Sequence, residues 1–198
     1  MKIAIDSRSA TLHAGSGIGT YTKNLVLNLL NINSSDRLNV IWTGELPSNI
    51  KKDNADIFLI SGRHGEFFEK FYLPNLLNKN NIDLYHIPQN GIGFPFDSSI
   101  NTIVTIHDLI PYIMPETVGK GYLKRFLRDM PYINSQAAGI ITVSEYSKKD
   151  ILRFFPEFPE EKIFVTPLAA NTTFKPLDKN LCKKHIKDNF KVEDPFIL

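Results

Sequence analysis

Apolar positions along this chain switch repeatedly between two spacings. Short β-branched runs alternate with longer stretches in which apolar residues recur every three or four positions, the marks of strand and helix in turn. Lys2 to Asp6 reads as a first strand, followed by a loop from Ser7 to Ser16 and a helix that gathers Leu25, Val26, Leu29 and Leu30 on one side. Leu38 to Thr43, Asp56 to Ser61 and Asp83 to Ile87 read as the next three strands. A helix from Glu66 to Asn78, kinked or interrupted by Pro74, joins the last two. In the stretch Thr102 to Pro111, TIVTIHDLIP, the residues Ile103, Val104 and Ile106 make a run too short for a helix, which reads as a buried parallel strand. Farther on, a helix from Gly119 to Gln136 meets Pro131, Gly139 to Val143 is a strand, and Ser144 caps a helix through Phe155. Lys162 to Thr166 is a last strand, Leu168 to Pro176 is irregular, and Asp178 to Asn189 is helical.

This alternation predicts an α/β fold, a Rossmann-like three-layer sandwich with a mainly parallel sheet. Residues 1–176 read as one domain. Residues 177–198 read as a linker and the start of another, because Asp194-Pro195-Phe196-Ile197-Leu198 resembles the first residues of a fresh strand.

Two helical stretches carry further patterns. Phe67, Phe68, Phe71 and Tyr72 form an aromatic patch at helical spacing, for which core packing is the default reading and a membrane-dipping surface the sharper one. The helix from Gly119 sets Tyr122, Leu123, Phe126, Leu127 and Met130 against Lys120, Lys124, Arg125 and Arg128, a core-facing side and a solvated side.

Composition narrows the classes. With 42% hydrophobic and 22% charged residues the chain is ordinary globular material, and a net charge of +2 gives no electrostatic case for nucleic-acid binding. The single cysteine, Cys182, excludes an internal disulfide and argues against a cysteine-built zinc site. Asp6 and Arg8 break the first apolar run before a secretory segment could form, and no run is long enough to span a bilayer. A cytoplasmic protein is expected, with peripheral contact at the inner face of the membrane left open.

The chemistry concentrates where strands end. His107-Asp108 follows the buried strand directly, on the side where open α/β sheets hold ligands. Asp108 either orients the imidazole or caps the turn. Gly15-Ser-Gly-Ile-Gly-Thr-Tyr21 enters the first helix, where backbone N–H groups suit a phosphate, or where glycines merely let helix and strand pack closely. As a dinucleotide fingerprint it is incomplete, since the third glycine of either frame falls on a threonine, Thr20 or Thr22. Ser144 and Glu145 stand at another strand end, as a cap or as ligand contacts. On cleft-side segments, Tyr21, Gln89 and Asn90 are candidates for contact with ligand hydroxyls. His13, His64 and His185 have no ligand-like spacing.

Four of these motifs in this order carry a resemblance. Ser16-Gly-Ile-Gly-Thr-Tyr21, His107-Asp-Leu-Ile-Pro111 with Pro115-Glu116, Thr142-Val-Ser-Glu-Tyr-Ser-Lys148, and Val165-Thr-Pro-Leu168 resemble the amino-terminal domain of retaining GT-B glycosyltransferases, family 4, mannosyltransferase-like. The resemblance implies the acceptor half of a two-domain enzyme that moves a sugar from a nucleotide-sugar to a glycan or lipid-linked acceptor. It implies no metal and no cofactor, and a donor-binding half, with its E-x7-E motif, beyond these residues. The isolated 198 residues are then expected to be nearly inactive. Residue by residue, it gives Gly17 and Gly19 the loop facing the donor phosphates, and His107 a place near the donor sugar, where it positions and polarises. A dinucleotide-dependent oxidoreductase domain and a non-catalytic glycan-binding module are the alternatives.

Overall fold

One parallel sheet organises the molecule, and its strand order reverses once. In chain order the elements are β1 (Lys2–Asp6), α1 (Ser9–Leu12), α2 (Gly17–Leu29), β2 (Arg37–Trp42) and β3 (Ala55–Leu59). A π-helical turn (Phe68–Tyr72) then runs into α3 (Leu73–Lys79), followed by β4 (Leu84–Ile87), β5 (Asn101–Ile106), α4 (Ile110–Ile113) and a 3-10 turn (Pro115–Thr117). The last elements are α5 (Lys120–Gln136), β6 (Gly139–Thr142), α6 (Glu145–Phe154), a 3-10 turn (Glu160–Lys162), β7 (Ile163–Val165) and α7 (Lys179–Phe190). The computed structural model describes residues 1–32, 35–48, 50, 55–61, 67–96, 98–171 and 173–195. The expectations resting on His64, on Glu66 and on a strand through 196–198 lie outside those residues.

The sheet order is β3-β2-β1-β4-β5-β6-β7, with every neighbouring pair parallel. Period-two alternation feeds two apolar layers, one on each face. Ala4, Ile41, Tyr85, Ile87, Val104 and Ile106 point into a core shared with Leu73 and Leu77 of α3, Phe126, Met130 and Ile133 of α5, and Ile151 of α6. Ile5, Val40 and Trp42 point the other way, against Ala10 of α1 and Val26 of α2. Burial on both faces is what a parallel sheet requires of its strands. The three-layer α/β expectation therefore holds.

The chain divides into two compact units, Met1–Pro167 and Leu168–Leu198. In the second, Asp178 opens α7 by accepting the Asn180 and Leu181 amides, both at 2.9 Å, and Lys191 closes it in a left-handed conformation (φ 59°).

Several local expectations change. The stretch from Ser7 to Ser16 is not all loop, because α1 forms within it. Pro74 stands in the first turn of α3, at the point where the π-helical turn gives way to the α-helix. Helix α5 runs unbroken through Pro131. The segment after His107-Asp108 holds α4 and a 3-10 turn that the apolar pattern had not marked.

Core packing fails for the aromatic quartet. Phe68 is buried, but Phe67, Phe71 and Tyr72 are 72%, 58% and 43% exposed. The rings keep i,i+4 contact, Phe67 on Phe71 and Phe68 on Tyr72, and so form two adjacent ridges of which only the end at Phe68 is covered. Only Phe68 then reaches the sheet, while Phe67 packs on Phe71 with ring centroids 5.8 Å apart.

Helix α5 separates its two sides sharply: Met130 is 0% exposed in the core, whereas Leu127 is 41% exposed. Met130→Ala is expected to destabilise the chain by about 2–5 kcal/mol, and Leu127→Ala by less than about 1 kcal/mol. Urea unfolding midpoints check this, and equal losses at the two positions would refute the helix orientation.

Candidate functional site

The reversal of strand order falls between β1 and β4, and the carboxyl ends of β1, β4 and β5 meet there. In open α/β sheets this is where ligands are held. His107 is the first residue past β5. The last carbonyls around it are all taken: Asn90 N–H donates to Thr105 O (2.9 Å), Thr142 Oγ1 to Ile106 O (2.7 Å) and Ser147 Oγ to His107 O (2.9 Å). The backbone that carries the imidazole is thereby fixed from both neighbouring strands.

The ring itself is fixed from β4's side. His107 Nε2 lies 3.0 Å from the carbonyl of Pro88. A carbonyl can only accept, so Nε2 carries the proton, and in the neutral ring Nδ1 keeps its lone pair. Nδ1 has no hydrogen-bond partner among the described residues. Tyr21, in the second turn of α2, stands edge-on to the imidazole with centroids 4.6 Å apart. Asp108 takes the turn-capping role of the two that its position allowed: its Oδ1 accepts the Ile110 amide at 3.0 Å and opens α4.

Asn90 adopts a left-handed conformation (φ 50°), and its buried side chain is used at both ends. Its Oδ1 accepts the His107 amide at 2.8 Å, and its Nδ2 donates to Tyr122 Oη at 3.2 Å. Ser144 caps α6, accepting the Ser147 amide at 3.0 Å, and Ser147 in turn reaches His107. Glu145 is exposed in the first turn of that helix.

The two glycines of the α2 entrance differ. A Cβ on Gly17 would meet nothing within 4 Å, whereas one on Gly19 would lie 2.1 Å from the His13 carbonyl oxygen. Gly19 is thus the close-packing glycine, and Gly17 the open one. Ser16 caps this helix by accepting the Gly19 amide at 3.1 Å.

Beneath these residues lies a buried network that the sequence pattern did not point out. Arg8 is 1% exposed and grips Asp6 in a fork, Nε to Oδ1 at 2.7 Å and Nη2 to Oδ2 at 2.5 Å. Tyr85 Oη (3.3 Å) and Gln89 Nε2 (2.9 Å) also donate to Asp6 Oδ2. Ser9 Oγ donates to Gln89 Oε1, and the guanidinium sits 4.1 Å over the ring of Phe68. Burial pulls the Arg8 pKa down, but the charge of Asp6 and its hydrogen bond, with Tyr85 and Glu69, together outweigh it and leave the guanidinium above its usual value. Burial, then the charge of Asp6, drives the Tyr85 phenol well above its ordinary range. Charges flanking the end of a buried strand were the available signal, at Asp6 and Arg8; they had served only to exclude a secretory segment.

His86 lies in β4. It is buried beside Thr105, with Nε2 2.8 Å from Thr105 Oγ1. Burial, and secondarily the charge of His107, lowers its pKa to about 4. Among the described residues no group of three or more His, Cys, Asp or Glu side chains could hold a metal ion.

A family model described as Glycosyltransferase Family 4 matches residues 16–174, the span that holds the α2 entrance, His107, Asn90 and Ser144. No curated protein matches the chain.

The buried His86 makes stability depend on pH. Its folded pKa lies below its ordinary 6.5, so the unfolded chain binds the proton more readily, and the stabilisation present above pH 6.5 is lost as pH falls toward about 4. The full loss is roughly 3 kcal/mol. His86→Gln is expected to flatten this part of the stability profile relative to the unmodified chain. Urea midpoints at pH 7 and 4.5 measure it, and parallel profiles would refute a buried neutral His86.

Proposed function

The chain belongs to glycosyltransferase family 4, and on that footing we propose that it is the acceptor-side half of a retaining enzyme which moves a sugar, mannosyl or a close relative, from a nucleotide-sugar to a glycan or lipid-linked acceptor. The observation that carries this reading is the convergence of the α2 entrance, Tyr21, His107 and the Asn90–Tyr122 pair at the reversal of strand order.

In this reading Gly17 and the first turn of α2 face the donor diphosphate, where free N–H groups and the positive helix end favour negative charge. His107 presents its Nδ1 lone pair to a hydroxyl of the donor sugar and holds that sugar in place while the bond to the diphosphate breaks. Charge builds on the departing diphosphate, and the acceptor hydroxyl enters on the same face and gives its proton to that leaving phosphate oxygen, so the anomeric configuration is kept. The imidazole orients and polarises; no covalent adduct with it is needed. Asn90, its amide already used at both ends, acts through Tyr122 and the His107 backbone, and Tyr122 is the nearer candidate for an acceptor hydroxyl. Ser144 fixes α6 beneath His107, and Glu145 stands exposed where an acceptor could meet it.

Most of the donor's binding energy comes, in this proposal, from a donor-binding domain that follows in the natural enzyme. Work at the cytoplasmic face of a membrane fits a lipid-linked acceptor. The exposed Phe67, Phe71 and Tyr72 are compatible with that, and no described helix is long and apolar enough to cross a membrane.

His107→Ala in the natural full-length enzyme is expected to lower kcat on the order of 10²-fold while the donor KM changes little. A transfer assay over a panel of nucleotide-sugars, with product anomers read by NMR, checks both points. Unchanged kcat would remove His107 from the reaction centre, and an inverted product would overturn the retaining mechanism.

A further inference from the structure

The loop between β4 and β5 touches His107 through Pro88 and Asn90, and the buried ion pair through Gln89, which stands between those two in sequence. Gln89 is buried. Its Nε2 donates to Asp6 Oδ2 at 2.9 Å and to Ile92 O at 2.7 Å, and its Oε1 accepts Ser9 Oγ. Every hydrogen-bonding position of the amide that the loop and β1 can reach is thus in use. Its neighbours in sequence do the work at the imidazole: the Pro88 carbonyl accepts His107 Nε2–H at 3.0 Å, and Asn90 Oδ1 accepts the His107 amide at 2.8 Å.

The same loop meets the ion pair again at Gly93. Gly93 is left-handed (φ +96°), and a Cβ there would lie 2.5 Å from Arg8 Nη2 and 2.6 Å from Asp6 Oδ2. Gly91 is also left-handed (φ +76°), with a Cβ position 2.5 Å from Ile133 Cδ1. Asn90, beside them, is left-handed without being glycine (φ 50°), a conformation kept only when the surroundings over-determine it. Gln89 is the side chain by which β1 does so, and the Pro88 carbonyl is the part of the loop that meets the ring.

We propose that Gln89 is a positioning residue, which fixes the Pro88 carbonyl against the Asp6–Arg8 pair and so locks His107 as its Nε2–H tautomer with Nδ1 free to accept. The importance of this for catalysis rests on the reading of His107 given above, but the tautomer itself does not. A histidine held in one tautomer offers an acceptor without first reorganising, whereas one that exchanges offers a donor part of the time.

The test uses Gln89→Met, which keeps the length of the side chain and removes its polar atoms. In the full chain labelled with ¹⁵N-histidine, at a pH where the imidazoles are neutral, long-range ¹H–¹⁵N spectra report the protonation of each ring nitrogen. The unmodified chain is expected to show His107 as a single Nε2–H tautomer. In Gln89→Met its two ring-nitrogen signals are expected to move toward each other, as they do when tautomers exchange, while those of the exposed His13 and His185 stay in place. An unchanged His107 pattern in folded Gln89→Met overturns the proposal.

If Gln89→Met does not fold, Ser9→Ala decides in its stead. It removes only the hydroxyl that holds Gln89 Oε1 and is expected to give a smaller shift of the same kind; no shift overturns the proposal. In the full-length transferase, Gln89→Met is expected to lower kcat on the order of tenfold, with KM within about twofold. A loosened ring with unaltered kcat overturns the catalytic part. Absence of transfer by the unmodified enzyme counts against the proposed function instead, and the spectra still decide the tautomer.

Discussion

The Asp6–Arg8 pair is the interaction on which the site depends. Taking a carboxylate and a guanidinium out of water costs several kcal/mol per ion unless geometry and extra hydrogen bonds offset it. Here the offset is visible. The carboxylate accepts a forked guanidinium, the Arg8 amide, the Tyr85 hydroxyl and the Gln89 amide, while the guanidinium also covers Phe68. These contacts tie β1, β4, the loop after β4 and the π-helical turn to one point. Removing either ion would leave the other buried without its partner, so the elements it joins stand or fall together.

Above that point, topology does the rest. A parallel sheet brings all its strand ends to one edge, and the reversal between β1 and β4 lets the segments after β1, β4 and β5 face one another. Residues as distant in sequence as Tyr21, Asn90, His107 and Tyr122 become neighbours through it. Helix capping then fixes the details: Ser16 sets the entrance of α2, Asp108 the start of α4, and Ser144 the start of α6.

The sheet was legible in the chain because strands buried on both faces write continuous apolar runs, and each strand lies within a residue or two of its expected bounds. His107 stood out in the chain because it is a titratable residue directly after such a run, at the edge where open α/β sheets hold ligands. What escaped was of two kinds. The short elements, α1, α4 and the π-helical turn, are stabilised by tertiary contacts too local to leave a period. The roles of Gln89, Asp6 and Arg8 depend on partners as many as 83 positions away, as in the Gln89–Asp6 bond, and no window along the chain contains both ends. Asn90 shows the same limit from the other side: its type and loop position suggested contact with a ligand, whereas its bonds run inward to His107 and Tyr122.

The way the ion pair and its loop fill the space between β1 and β4 has a consequence for the make-up of that loop. Nucleotide-binding sheets of this order offer a slot at the reversal into which a ligand can sink. In this chain Gln89 and Gly93 pack side chain and backbone against the Asp6–Arg8 pair at that place. Loop and ion pair are therefore built as one piece: nothing larger than hydrogen fits at position 93 without displacing both charged groups.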